Sequence, residues 1–97
     1  MAKFVVLARF TDQGVKAVKD TVARSAGNRA LAEKLGVKVN EILWTLGPYD
    51  VVMLLEADDD RTATAFALSM AARGNVTTTT MRAFDGAEFA AVVDKMG

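Results

Sequence analysis

Apolar residues along this chain fall into four short runs, separated by stretches in which they return at helical spacing. The first run, Lys3-Phe4-Val5-Val6-Leu7-Ala8-Arg9-Phe10, predicts a strand. Thr11 then caps a helix, with Asp12 at its positive end, and Val15, Val18 and Val22 form its apolar face. Gly27 and Asn28 predict an interruption. A second helical piece from Arg29 to Leu35 follows, with Leu31 and Leu35 on one face and Gly36 as its stop. A second strand is expected from Val37 to Leu46, where Ile42, Trp44 and Leu46 alternate against Leu43 and Thr45. The turn Gly47-Pro48-Tyr49-Asp50 leads directly into a third strand, Val51 to Ala57. A link this short makes the pair an antiparallel hairpin.

Asp58 or Asp59 caps the next helix, whose apolar positions Ala63, Phe66, Ala67, Met70 and Ala71 follow the i, i+3, i+4, i+7, i+8 pattern. Gly74 ends it, and the threonine-rich stretch from Asn75 to Phe84 predicts the fourth strand. Asp85 with Glu88 three residues on is the signature of a capping box. Phe89, Val92, Val93 and Met96 put one apolar stripe on the closing helix. The order β-α-β-β-α-β plus a C-terminal helix is the ferredoxin-like α+β pattern, a single domain over residues 1–97. Right-handed crossovers place strands one and three side by side in the centre, with both main helices on one face.

Helices on one face should leave the other alternating with polar residues if water covers it. Strand one instead carries Phe4, Val6, Ala8 and Phe10 on one side and Val5 and Leu7 on the other. Strand three likewise sets Val51, Met53 and Leu55 against Val52 and Leu54. Four strands of about six residues make a face of roughly 400 Å² in projection, as large as the biggest apolar patch a typical monomer shows, about 300–600 Å². Two copies packing sheet to sheet would cover it, making a homo-oligomer that is a dimer or a multiple of one. The alternative is a closing helix folded back over its own sheet.

Composition narrows the chemistry. Adding Gly and removing Tyr raises the 52% apolar content to about 58%, above the usual 45–50% or so, in keeping with a second buried surface. There is no cysteine and no histidine. Thiol nucleophiles, disulfides and thiolate metal sites are thereby excluded, and with them the commonest general base and the usual haem ligand. Twelve basic residues balance twelve acidic ones, at a pI near 6.2, without the basic excess of a nucleic-acid-binding domain. No stretch is long and apolar enough to span a membrane, and the N-terminal run lacks a secretory cleavage site, so a cytoplasmic protein is expected. No phosphate-binding glycine loop is present. Asp58-Asp59-Asp60 lacks the spaced oxygen ligands of a calcium loop and is better read as a helix start. No metal and no cofactor is expected.

Five residues are candidates for ligand binding: Arg9, Glu56, Thr45, Tyr49 and Asp50. A phenol beside a carboxylate, Tyr49 with Asp50, could act as an acid–base pair. Neighbours at a strand start point to opposite faces, however, and Asp commonly bonds turn backbone, so the structural reading is preferred. Strand parity sends Arg9 and Glu56 to the same face as Val5, Leu7, Val52 and Leu54. There they either orient a small anion or phenol in an apolar cavity, with Thr45 beside them, or neutralise one another. Trp44 should point toward the helices.

Several stretches together resemble the GYD domain family over essentially the whole chain. They are Phe10-Thr11-Asp12-Gln13-Gly14, Trp44-Thr45-Leu46-Gly47-Pro48-Tyr49-Asp50, Gly74-Asn75-Val76 and Arg82-Ala83-Phe84. The resemblance implies a bacterial or archaeal protein folded as a dimeric α+β barrel, and it brings no catalytic residues with it. Related-looking barrels include haem-degrading monooxygenases and chlorite dismutases, which need a histidine ligand, and cofactor-free quinone-forming oxygenases, which do not. Three functions stay open: a small-molecule-binding or regulatory dimer, a cofactor-free oxygenase or isomerase for a small hydrophobic or phenolic compound, and a structural assembly unit.

Overall fold

In a computed structural model describing Met1–Gly97, a four-stranded antiparallel sheet has the order β2-β3-β1-β4. The strands are β1 (Ala2–Phe10), β2 (Lys38–Trp44), β3 (Val51–Ala57) and β4 (Val76–Ala83). The helices are α1 (Asp12–Lys16), α2 (Thr21–Leu35), α3 (Asp60–Ala72) and α4 (Gly86–Asp94). This is the expected ferredoxin-like order, with β1 and β3 central. One chain contributes an open sheet, not a closed barrel.

Alternation sorts the strands as expected. Phe4, Val6 and Ala8 of β1 and Val51, Met53, Leu55 and Ala57 of β3 are buried under the helices. The core closes where Ala63, Phe66 and Met70 of α3 settle on that face, with Phe66 wholly inaccessible. Asp59 caps α3 by accepting the Thr62 N–H at 2.8 Å. Asp85 and Glu88 form the full capping box at the start of α4. Gly74 takes the positive φ of 86° that ends the α3 turn.

Two expectations about local structure need correction. The first helical segment breaks between Ala17 and Asp20, in a 3-10 turn (Val18–Asp20), and α2 then runs unbroken through Gly27 and Asn28. That break re-phases the helix, so Val15, Val18 and Val22 all point to solvent instead of forming a core stripe. A single glycine costs a helix only about 1 kcal/mol, and Asn28 has a partner in the Arg73 guanidinium at 3.1 Å. The hairpin link is also longer than a four-residue turn. β2 stops at Trp44, and the loop Thr45–Asp50 closes through Thr45 N–H to Asp50 C=O at 2.9 Å. Leu46 stands fully exposed at its tip.

The end of β1 is locked to the α3–β4 junction by side chains and backbone together. Thr11 N–H donates to the Asn75 carbonyl at 3.0 Å, and the Thr11 hydroxyl donates to the Gly74 carbonyl at 2.5 Å. The Gln13 amide bonds the Arg73 carbonyl and the Asn75 side chain, both at 3.0 Å. Gly14 presses so close that a Cβ there would lie 2.0 Å from the Asn75 carbonyl oxygen. Only glycine allows that approach.

Candidate functional site

The sheet face opposite the helices is uncovered. Val5, Leu7 and Val52 are half-buried at its centre, and Leu54, Leu43 and Met81 around them are 37%, 49% and 43% exposed. The registers Val5↔Leu54↔Glu41, Leu7↔Val52↔Leu43 and Val5↔Met81 make these residues one continuous patch. The closing helix does not cover it: no residue of α4 is buried, and Phe89, Val92, Val93 and Met96 all remain exposed. α4 is held by charge at the Lys3 end of the sheet. Lys3 Nζ lies 3.4 Å from Asp85 and 3.5 Å from Glu88, and Arg82 lies 3.6 Å from Glu88. Phe89 meets Phe84 edge-on at 6.4 Å between ring centroids. The chain is elongated, 51 Å in its longest dimension with a radius of gyration of 14.5 Å, against about 12.5 Å for a compact chain of this length.

The five candidate residues divide into two groups at opposite ends of this face. Arg9 stacks on the Tyr49 ring, its guanidinium carbon 4.8 Å from the centroid, and with Leu7, Thr77 and Thr79 the two line a shallow depression. Asp50 does not face into it. Its carboxylate accepts the Phe10 N–H at 2.8 Å, while its own N–H donates to the Ala8 carbonyl, extending the β1–β3 ladder by one step. The Thr45 hydroxyl donates to the Tyr49 carbonyl at 2.5 Å, which holds the loop. Asp50 and Thr45 are therefore spent on backbone, and the Tyr49–Asp50 acid–base pair is not assembled.

Glu56 shares the open face with Arg9, as parity requires, but stands opposite Lys3, roughly 20 Å along the strands from Arg9. Within one chain the two do not neutralise each other. Glu56 instead accepts from the Asn40 amide at 3.0 Å and lies 3.9 Å from Lys38. The Asn40 hydrogen bond, with Lys38 nearby, holds its carboxyl below the ordinary range.

A cleft that the hydrophobic pattern did not disclose opens on the other side of the sheet, between α2 and the strands. Trp44 points toward the helices, as expected, and its indole N–H donates to the Thr21 hydroxyl at 3.1 Å, yet the residue stays 42% exposed. Arg24, Asn28 and Arg73 line the same cleft. The available signal was the spacing Thr21, Arg24, Ser25, Asn28, a helical stripe of polar residues. It was obscured because the valines of the preceding segment mimic an inward face.

The GYD domain family model matches residues 4–93. This chain belongs to the GYD domain family. A relative from Thermus thermophilus, named "Glutamine synthetase and cystathionine beta-lyase binding protein", is 37% identical over 92 residues, which cover 94% of this chain and 97% of the relative. No solved structure matches. The stretches that carry the resemblance have physical roles in the fold. Residues 10–14 and 74–76 form the lock between β1 and the α3–β4 junction, and residues 44–50 form the hairpin loop that carries Tyr49 to Arg9.

Proposed function

We propose that this GYD protein is a non-enzymatic binding and regulatory module that works as a dimer, or a multiple of one, joined through its open sheet faces. One observation carries the reading: the patch of Val5, Leu7, Val52 and Leu54, edged by Leu43 and Met81, has no helix of its own chain over it. A projected face of roughly 400 Å² is only half the approximately 800 Å² per partner of a standard interface. The exposed stripe of α4, which sits at the Lys3 end and leaves the patch uncovered, supplies further apolar area for the partner. The relative's name supports a protein-binding role, with an enzyme such as glutamine synthetase as the kind of target. The Arg9–Tyr49 depression offers little to an enzyme mechanism, since Asp50 and Thr45 are tied to backbone.

Sedimentation at micromolar concentration tests the assembly. A dimer or its multiple is expected, and a 10.4 kDa monomer would overturn the reading. Leu54→Lys strands a charge in the shared face and should give monomer or insoluble protein, because an unpaired buried charge costs several kcal/mol. Unchanged assembly in that variant would equally overturn it.

A further inference from the structure

We infer that the cleft between α2 and the sheet is a binding site for a small organic acid, with its carboxylate held by Arg24 and Arg73 and its apolar body laid along Trp44. This inference goes beyond the docking role of the open face, since the cleft lies on the opposite side of the sheet.

A helix lying on a sheet normally turns its apolar stripe downward. α2 does so only at its C-terminal end, where Ala32 is buried and Leu31 packs on the core. Its first two turns present Thr21, Arg24, Ser25 and Asn28 to the cleft. Beneath them the floor is apolar: Ala8, Met53 and Met70 are nearly inaccessible. A polar roof over an apolar floor, with a half-exposed tryptophan at the side, is the lining of a pocket for an amphipathic molecule.

The charges select its sign. Arg24 and Arg73 line the cleft, and neither has a carboxylate partner; no Asp or Glu lines it at all. Each guanidinium is permanently charged and carries five N–H donors. The protein satisfies part of that capacity with neutral oxygens. Arg24 donates to the Ala17 carbonyl at 2.7 Å, and Arg73 donates to the Asn28 side chain at 3.1 Å. The remaining donors suit the two oxygens of a carboxylate. Arg73 is also fixed from behind, because Gln13 holds its carbonyl at 3.0 Å. The cleft is thus a cationic site with an apolar floor in a chain of zero net charge.

Trp44 is the sole tryptophan, so intrinsic fluorescence reads the cleft directly. Hexanoate should change it saturably and raise the melting temperature with concentration, as mass action requires. Its affinity should exceed that of 1-hexanol and of acetate by about tenfold or more, the factor expected from a charge-assisted hydrogen bond added to apolar contact. Arg73→Gln should cost hexanoate affinity about tenfold and leave hexanol unchanged. Arg24→Gln should do the same; because it also gives up the Ala17 contact, Arg24→Lys, which keeps the charge, should bind with intermediate affinity. The proposal is overturned if neither fluorescence nor melting responds to hexanoate, if acetate or inorganic phosphate binds as well as hexanoate, or if both glutamine variants bind hexanoate like the parent. The oligomeric state is read by sedimentation and the cleft by fluorescence, so either proposal can fail without the other.

Discussion

α2 and α3 lie on the same face of one sheet and treat it in opposite ways. α3 buries Ala63, Phe66, Ala67 and Met70, the stripe of a helix whose work is packing. α2 is two residues longer, yet it buries Ala32 alone and holds polar side chains over the strands for its first two turns. Both helices obey the same geometry, so the difference comes from which residue types occupy the inward positions. A ferredoxin-like fold needs a well-packed helix to close its core. Here α3 fills that role, leaving α2 free to roof a cleft.

The largest test of this contrast is Phe66→Ala. The ring is wholly buried, and truncating such a residue to alanine costs about 3–5 kcal/mol. For a domain of this size the melting temperature should fall by roughly 12 °C or more. A drop of only a few degrees would mean that α3 is not the helix that holds the sheet.

Ser25→Leu probes the other helix, with a smaller effect of opposite sign. The Ser25 hydroxyl bonds only the Val22 carbonyl at 2.6 Å, inside its own helix, and the side chain lines the cleft. Leucine improves helix propensity and lays apolar surface over an apolar floor, so a gain of about 0.5–1.5 kcal/mol is expected in thermal or denaturant melts. The filled cleft should at the same time lose its hexanoate response. Destabilisation by leucine would show that the polar underside of α2 is fitted to the sheet and leaves no room.

The contrast also shows what the sequence could disclose. Alternation in β1 and β3 set the two faces correctly, because strand parity is rigid: each step reverses the side chain, and nothing between Ala2 and Phe10 interrupts the count. Parity likewise put Arg9 and Glu56 on one face. It carried no information on how far apart they stand, since that depends on the antiparallel β1–β3 register, in which Lys3, not Arg9, faces Glu56. α3 was legible because its stripe is continuous from Ala63 to Met70. α2 was not, because a 3-10 turn of three residues, Val18–Asp20, rotates everything after it. Valines counted at i, i+3 and i+7 across that turn make a core stripe on paper, yet all three are exposed in the fold. The cleft was hidden for a related reason: the expected break at Gly27 and Asn28 cut Asn28 off from Thr21, Arg24 and Ser25, which only an unbroken α2 joins into one stripe.

The smallest effect separates α3 from α4, which buries no residue and is tied down chiefly by the charges around Lys3, with one edge-on contact of Phe89 on Phe84. Asp85 and Glu88 each accept the other's backbone N–H, and with the Lys3 ammonium beside them both carboxyls are held below their ordinary values. Lys3 is pushed up, first by its hydrogen bond to Asp85 and then by the charge of Glu88. For a depressed carboxyl, the stabilising contribution is present above the unfolded value, near 4, and is lost as pH falls through the folded one. For the raised lysine it is complete below about 10 and is lost as pH climbs past the folded value. The clamp should therefore be constant across the neutral range and released at both extremes. Amide hydrogen exchange at about pH 2.5 and pH 7, each corrected for the intrinsic rate, should show Phe89–Asp94 losing protection in acid while Phe66–Met70 keeps it. These groups lie at the surface, so the loss should be confined to α4 and should be reproduced at neutral pH by 1 M salt, which shrinks the screening length to about 3 Å. If α3 and α4 lose protection together, then α4 is part of the cooperative core, and the charges at Lys3 are not what holds it.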